Sequence, residues 1–228
     1  MIIKGLQKTT LLDYPDRIAC TIFLGGCNLR CPYCHNATLV YCNGEDISME
    51  TLFTFLKSRV GRLEGVCISG GEPTLHSDLP ELIARIKELG FLVKLDTNGT
   101  NPEMLDELIE SGLVDYVAMD IKNSPEKYST TTGVDCGALL DRIKSSARLL
   151  MEGRVEYEFR TTVTVEHHTL SDMAMIGEWL AGAKHYYLQS YREDGEQIVG
   201  GFTTPDRQIM SRLLTEIKRF IPSAEIRA

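Results

Sequence analysis

The stretch Gly25-Gly26-Cys27-Asn28-Leu29-Arg30-Cys31-Pro32-Tyr33-Cys34-His35-Asn36 follows directly on an apolar run, Ile18 to Leu24. It sets three cysteines at C-x3-C-x2-C spacing. Thiolates are soft ligands that suit iron–sulfur clusters, zinc or Cu(I). Three so close in sequence can converge on one metal centre, and no fourth cysteine follows at ligand spacing. Three protein thiolates leave one iron of a cubane cluster open. An open coordination position separates a catalytic metal site from a sealed structural one. A structural zinc site is the alternative, with His35 or Cys42 as its fourth ligand. His35 adjoins Cys34, and neighbours in an extended loop point to opposite sides; Cys42 lies at a loose spacing. Disulfides fit poorly, because the 7 cysteines are odd in number and unevenly clustered, and no secretory signal is present.

Outward from this loop a rhythm appears. Apolar, β-branched runs end in Gly, Asp or Ser, and a helical pattern follows each. The runs are Ile18–Leu24, Gly65–Ser69, Phe91–Asp96, Tyr116–Asp120, Tyr157–Val165 and His185–Gln189. Short continuous apolar runs mark strands buried on both faces, hence a parallel sheet. Between them, Leu79, Leu82, Ile83 and Ile86 form one apolar stripe, with Ser77 or Asp78 to cap and Gly90 to end the helix. Asn101 is placed to cap the next helix, with Pro102 in its first turn and Gly112 at its end. Ser48–Val60, Cys136–Met151, Ser171–Leu180 and Pro205–Phe220 read as further helices, and Trp179 as core. Six β/α units with right-handed crossovers are too few for a closed eight-unit barrel. Pro125 to Gly133 is the most loop-like stretch. Residues 1–17 read as a short strand and a polar turn covering the barrel edge, and 204–228 as a C-terminal helix and tail.

Composition sets the bounds. The 228 residues are 43% hydrophobic and 25% charged, ordinary for a globular chain, and one domain over 1–228 is the default. A net charge of −8 argues against a broad nucleic-acid-binding face. No apolar run approaches the roughly 20 residues that span a bilayer. The start, Met1-Ile2-Ile3-Lys4, lacks the features of a signal peptide, so a cytoplasmic location is expected.

In parallel α/β barrels, function collects at the C-terminal ends of the strands, and every polar cluster here falls at such an end. The cysteine loop follows the first run. Ser69-Gly70-Gly71-Glu72-Pro73 follows the second, with glycines that let backbone approach a ligand and a carboxylate that can accept from an ammonium. Asp96-Thr97-Asn98-Gly99 ends the third run and Asp120-Ile121-Lys122 the fourth. Asp120 and Lys122 are expected to face opposite sides, only one of them the barrel interior. Arg160 lies in the fifth run and needs a partner if buried; Gln189 ends the sixth. Cys20 and Cys67 read as small hydrophobes in strands, Cys42 and Cys136 as isolated, and His76, His167 and His168 as surface residues.

The cysteine spacing, with an aromatic before the third cysteine, resembles the signature of radical S-adenosylmethionine (SAM) enzymes. Gly26–Arg30 and Cys34-His35-Asn36 resemble the activating enzymes of glycyl radical enzymes, most nearly those serving anaerobic ribonucleoside-triphosphate reductase. The resemblance implies an open (β/α)6 partial TIM barrel. It implies one 4Fe–4S cluster on Cys27, Cys31 and Cys34, with SAM chelated to the open iron. A flavodoxin or ferredoxin-type donor would reduce the cluster, and a 5′-deoxyadenosyl radical would take hydrogen from a glycine Cα of the partner enzyme. Gly70, Gly71 and Glu72 match a Gly-Gly-Glu-Pro motif that implies contact with the SAM amino group. Asp96 and Thr97 match positions implying a monovalent cation near the SAM carboxylate. Asp120 and Lys122 match an Asp-x-Lys motif at the SAM or substrate site. Arg160 is implied for the SAM carboxylate, Gln189 for ribose or adenine, and Tyr33 for the vicinity of the adenine. An Asp-Tyr-Pro-Gly segment of the family has Asp16 here in place of its glycine. Two alternatives stand beside this: a radical SAM enzyme acting on a small molecule, such as one building a deazapurine, and a non-enzymatic iron–sulfur or zinc protein.

Overall fold

The computed structural model describes residues 1–193 and 197–227. Eight strands form one sheet in chain order. They are β1 (Ile3–Thr10), β2 (Ala19–Leu24), β3 (Gly65–Gly70), β4 (Leu92–Thr97), β5 (Tyr116–Asp120), β6 (Glu156–Val163), β7 (Tyr186–Ser190) and β8 (Glu225–Arg227). β1 runs antiparallel to β2, and every later pairing is parallel. The strands β2 to β7 are the six expected runs, shifted by a residue or two at their ends. β1 and β8 extend the sheet to its two edges. β8 was not anticipated, since three residues with two charges carry no strand periodicity.

The crossover helices are α2 (Met49–Arg59), α3 (Leu79–Glu88), α4 (Pro102–Glu110), α6 (Gly137–Met151), α7 (Leu170–Trp179) and α8 (Arg207–Ile217); α1 (Ala37–Val40) and α5 (Tyr128–Thr132) are short turns of helix. Ser48 and Asn101 cap α2 and α4 through their side chains. Asp78 stands at the start of α3 but makes no cap bond; its carboxylate takes the Met1 ammonium at 2.9 Å instead. α3 buries Leu79, Leu82, Ile83 and Ile86, as their spacing predicts. Trp179 is half-buried, edge-on to Tyr128. Among the described residues no helix is long and apolar enough to cross a membrane.

The loop-like stretch Pro125–Gly133 is helical, a 3-10 turn over Pro125–Lys127 running into α5. Tyr128 is fully buried, and Thr132 accepts a hydrogen bond from the Arg30 backbone N–H at 2.9 Å, so α5 braces the cysteine loop. Asp16 adopts φ 58°, the left-handed conformation that the family glycine would take without strain.

Strand alternation places the chemistry. Val93, Leu95, Tyr157 and Phe159 are buried among the core residues. The alternate positions Lys94 and Asp96 on β4, and Glu158, Arg160 and Thr162 on β6, share the opposite, inner face.

Candidate active site

A cavity of about 420 Å³ opens at the C-terminal ends of the strands. Cys27, Cys31, Cys34, Tyr33, Gly70, Gly71, Asp96, Thr97, Asp120, Lys122, Arg160 and Gln189 all line it. Glu72, matched to the same site, is not among the lining residues.

The cysteine loop is held from several sides. Gly70 (φ 126°) packs so tightly that an added Cβ would lie 2.2 Å from the Leu24 carbonyl oxygen; one on Gly71 would lie 2.0 Å from that of Gly26. The glycines therefore admit the backbone of the cysteine loop, besides exposing their own to the cavity. The Gly71 and Glu72 N–H groups donate to Leu24 and Gly26 at 2.9 and 2.8 Å. A His76 ring nitrogen lies 2.9 Å from the Gly25 carbonyl. Cys42 Sγ stands beside this loop, 3.2 Å from where a Gly25 Cβ would be.

The Glu72 carboxylate, expected to meet a ligand, is engaged within the protein here. It is fully buried. Oε1 accepts from the Thr74 N–H (3.1 Å), the Thr74 hydroxyl (2.6 Å) and the Thr97 hydroxyl (2.7 Å), and Oε2 from the Asn98 N–H (2.6 Å). Burial pushes its carboxyl above the ordinary range, and the four donors pull against that. Glu72 ties the turn after β3 to the end of β4.

Asp120 and Lys122 also depart from expectation. Both face the cavity, with Lys122 Nζ 3.0 Å from Asp120 Oδ2. Side chains two residues apart along an extended chain point to the same side, because the period is two. With their neighbours they form a chain of alternating charge. Lys94 pairs with one oxygen of Asp96. Arg160 lies 3.5 Å from the other and donates from Nε to Asp120 at 3.0 Å. Burial opposes charge on Asp120, yet Arg160 and Lys122 hold its carboxyl well below the usual range. The same balance, with Arg160 and Lys94, lowers Asp96. Three cations and two anions alternate along this chain; Arg160 and Lys122 line the cavity, Lys94 lies behind Asp96, and Asp13 adds a third carboxylate to the lining.

Sequence reasoning assigned no role to Lys94, though it is the one cation in an otherwise apolar run and two positions before Asp96. It is 1% exposed. Its ammonium stands on the carboxylate expected to hold a monovalent cation, and Thr97 donates its hydroxyl to Glu72. Nor was His168 recognised. It is 4% exposed, donates from Nε2 to the Lys122 carbonyl at 3.0 Å and accepts from the Thr164 N–H at Nδ1. Burial lowers its pKa to about 4, so the neutral ring braces the backbone under Lys122. Gln7 and Asp13, from the segment given no chemistry, also line the cavity. Tyr33 packs against His167 (5.5 Å) and Phe202 (6.1 Å).

The donor set fits a cluster. Cys27, Cys31 and Cys34 all line the cavity, with Arg160 and Lys122 among its other lining residues. Three soft sulfur donors on one cavity suit an iron–sulfur cluster. Burial pushes the Cys31 thiol up to about 12 and that of Cys27 upward, while Lys122 favours both thiolates. Metal coordination would take the place of the proton.

A fold with thiols, cations and glycine backbone gathered at one barrel mouth matches the radical SAM superfamily model over residues 21–180, and the chain belongs to that superfamily. The family implies a 4Fe–4S cluster and SAM. Within it, the chain belongs with the glycyl-radical enzyme activating enzymes. It is 35% identical over 193 residues to a Methanocaldococcus jannaschii protein named as one, covering 83% of this chain and 80% of that protein. A pyruvate formate-lyase-activating enzyme from Clostridium pasteurianum is 28% identical over 85% of this chain and 83% of its own length. A crystal structure of a pyruvate-formate lyase-activating enzyme domain from Bacteroides vulgatus superposes with a TM-score of 0.57 at 20% identity, over 72% of this chain and 99% of that one.

Proposed function

We propose that this protein activates a glycyl radical enzyme, with anaerobic ribonucleotide reductase as the partner and a flavodoxin or ferredoxin-type protein as the electron donor. The observation that carries the reading is the convergence of three thiols, the Gly70–Gly71 backbone and the cations Arg160 and Lys122 on one cavity. In this reading Cys27, Cys31 and Cys34 hold three irons of the cluster. The Gly70 and Gly71 backbone accepts from the SAM ammonium, while Arg160 and Lys122 face its carboxylate as cations. Gln189 and Tyr33 border the nucleoside. Lys94 stands where a monovalent cation was expected and supplies that positive charge itself. When bound, the cluster and SAM together supply the one-electron chemistry that ends in hydrogen abstraction. The protein orients, neutralises charge and excludes water. A glycine suits the target position because, with no Cβ, its α-carbon is open to approach.

The test is electron paramagnetic resonance on anaerobic mixtures of the reconstituted protein, SAM and dithionite with each candidate partner. A glycyl doublet on the reductase supports the proposal. A doublet only on a formate-lyase reassigns the partner, and SAM cleavage that needs a small metabolite and no protein partner overturns the reading. Cys31→Ala is expected to lose cluster absorbance and any doublet; retained SAM cleavage would remove Cys31 from the ligand set.

A further inference from the structure

Beneath the cavity lies a second charged layer that the proposed chemistry does not use. Glu158 is fully buried and precedes Arg160 by two positions on the same face of β6. Arg227, from β8, donates Nη1 to its Oε1 at 2.6 Å and Nη2 to its Oε2 at 2.7 Å. The Tyr116 hydroxyl adds a third hydrogen bond at 2.9 Å. The Arg227 guanidinium is clamped in turn by the Tyr187 ring, 3.7 Å from the centroid. The other cations that act on Glu158 are Arg160 on its own strand and Lys94 on β4. Arg160 lines the cavity, and Lys94 pairs with the lining Asp96. A buried carboxylate without a partner is strongly disfavoured. With Arg227 gone, Glu158 would compete with Asp96 and Asp120 for those two cations.

We propose that Arg227 is a positioning residue for the cavity: its two-point ion pair occupies Glu158 and so leaves Arg160 turned towards Asp96 and Asp120, with its charge facing the cavity. A planar guanidinium can satisfy both oxygens at once, which a lysine cannot. The inference rests on the reading of Arg160 as a cation that faces the SAM carboxylate.

The test compares wild type, Arg227→Met, Arg227→Lys, Arg160→Met and the double variant Glu158→Gln/Arg227→Met, all with the cluster reconstituted. SAM affinity is measured by equilibrium dialysis without reductant. Arg227→Met is expected to weaken SAM binding about tenfold near pH 8, the scale of one charge-assisted hydrogen bond lost. Arg227→Lys should fall between it and wild type. The double variant should bind as wild type does, because no carboxylate remains to draw Arg160 down; it also keeps the test alive should Arg227→Met fold poorly.

The pH profile separates positioning from support. Burial pushes the Glu158 carboxyl up, and the Arg227 hydrogen bonds together with the Arg160, Arg227 and Lys94 charges more than offset it. Tyr116 is its remaining titratable neighbour. Without Arg227, the burial that raises the Glu158 carboxyl is less opposed, so Glu158 should take up a proton at a higher pH than in wild type and release Arg160. Affinity of Arg227→Met should therefore recover on acidification relative to wild type, while the double variant stays parallel to wild type throughout. Unchanged affinity in Arg227→Met, or a loss that Glu158→Gln does not restore, overturns the proposal. If Arg160→Met binds SAM normally, the reading of Arg160 fails instead. The ¹⁵N resonance of the Arg160 guanidinium in the protein without SAM then tests the positioning alone: it should move in Arg227→Met and return in the double variant.

Discussion

Glu72→Gln is the sharpest perturbation of the site's frame. In the native turn two of the four donors to Glu72 are hydroxyls, which can rotate, and two are backbone N–H groups, which cannot. The backbone donors sit on different oxygens, Thr74 on Oε1 and Asn98 on Oε2. A glutamine offers one oxygen and one NH2. Whichever way its amide lies, one buried backbone N–H faces another donor. An orphaned buried donor costs about 1–3 kcal/mol, which in a chain of this size lowers Tm by about 2–12 °C. Glu72→Ala strands both backbone donors, at about 2–6 kcal/mol, and leaves a void besides. The assay is urea unfolding of the anaerobic, cofactor-free protein followed by circular dichroism. The midpoint should fall while the slope m stays constant. A Gln variant with an unmoved midpoint would refute the bracing argument. Loss of SAM affinity in that stable variant would go further and return the carboxylate to the ligand.

Two further outcomes follow from buried charge. Because the His168 pKa falls from 6.5 to about 4 on folding, the unfolded chain binds the proton first as pH drops. His168 thus contributes stability that is whole above pH 6.5 and lost on acidification towards pH 4, at most about 3 kcal/mol. His168→Gln should show a shallower decline across that window in parallel urea titrations; an identical decline would refute the assignment. Lys94→Met removes one of two cations on the buried Asp96 and leaves Arg160 and the Ser69 hydroxyl on its other oxygen, so the cost should stay below the roughly 3–5 kcal/mol of a wholly unpaired buried charge. If its ammonium stands in for a cation, the melting temperature of the variant should be higher in potassium chloride than in tetramethylammonium chloride at equal ionic strength, while wild type shows no difference. A variant indifferent to the cation would refute that substitution.

The cysteine spacing, the six strand runs and the polar residues at their ends were legible because each is a local pattern. C-x3-C-x2-C states a ligand set within one loop, and strand period and helix stripe repeat over a few residues. Those patterns were enough to place the residues matched to the site, Glu72 apart, around one cavity. Even so, local reading put Asp120 and Lys122 on opposite sides, against the period of two that it rests on, and their 3.0 Å contact shows the error.

What the chain alone could not state is which buried polar group answers which. Glu72 meets Thr97 25 residues away, His168 meets Lys122 46 residues away, and Arg227 meets Glu158 69 residues away. A buried charge or ring nitrogen must find a partner, but burial is a property of the packed barrel and carries no sequence period. Only folding decided that Glu72 braces the turn after β3 against the end of β4, that Lys94 stands on Asp96, and that the three residues of β8 reach under the active site.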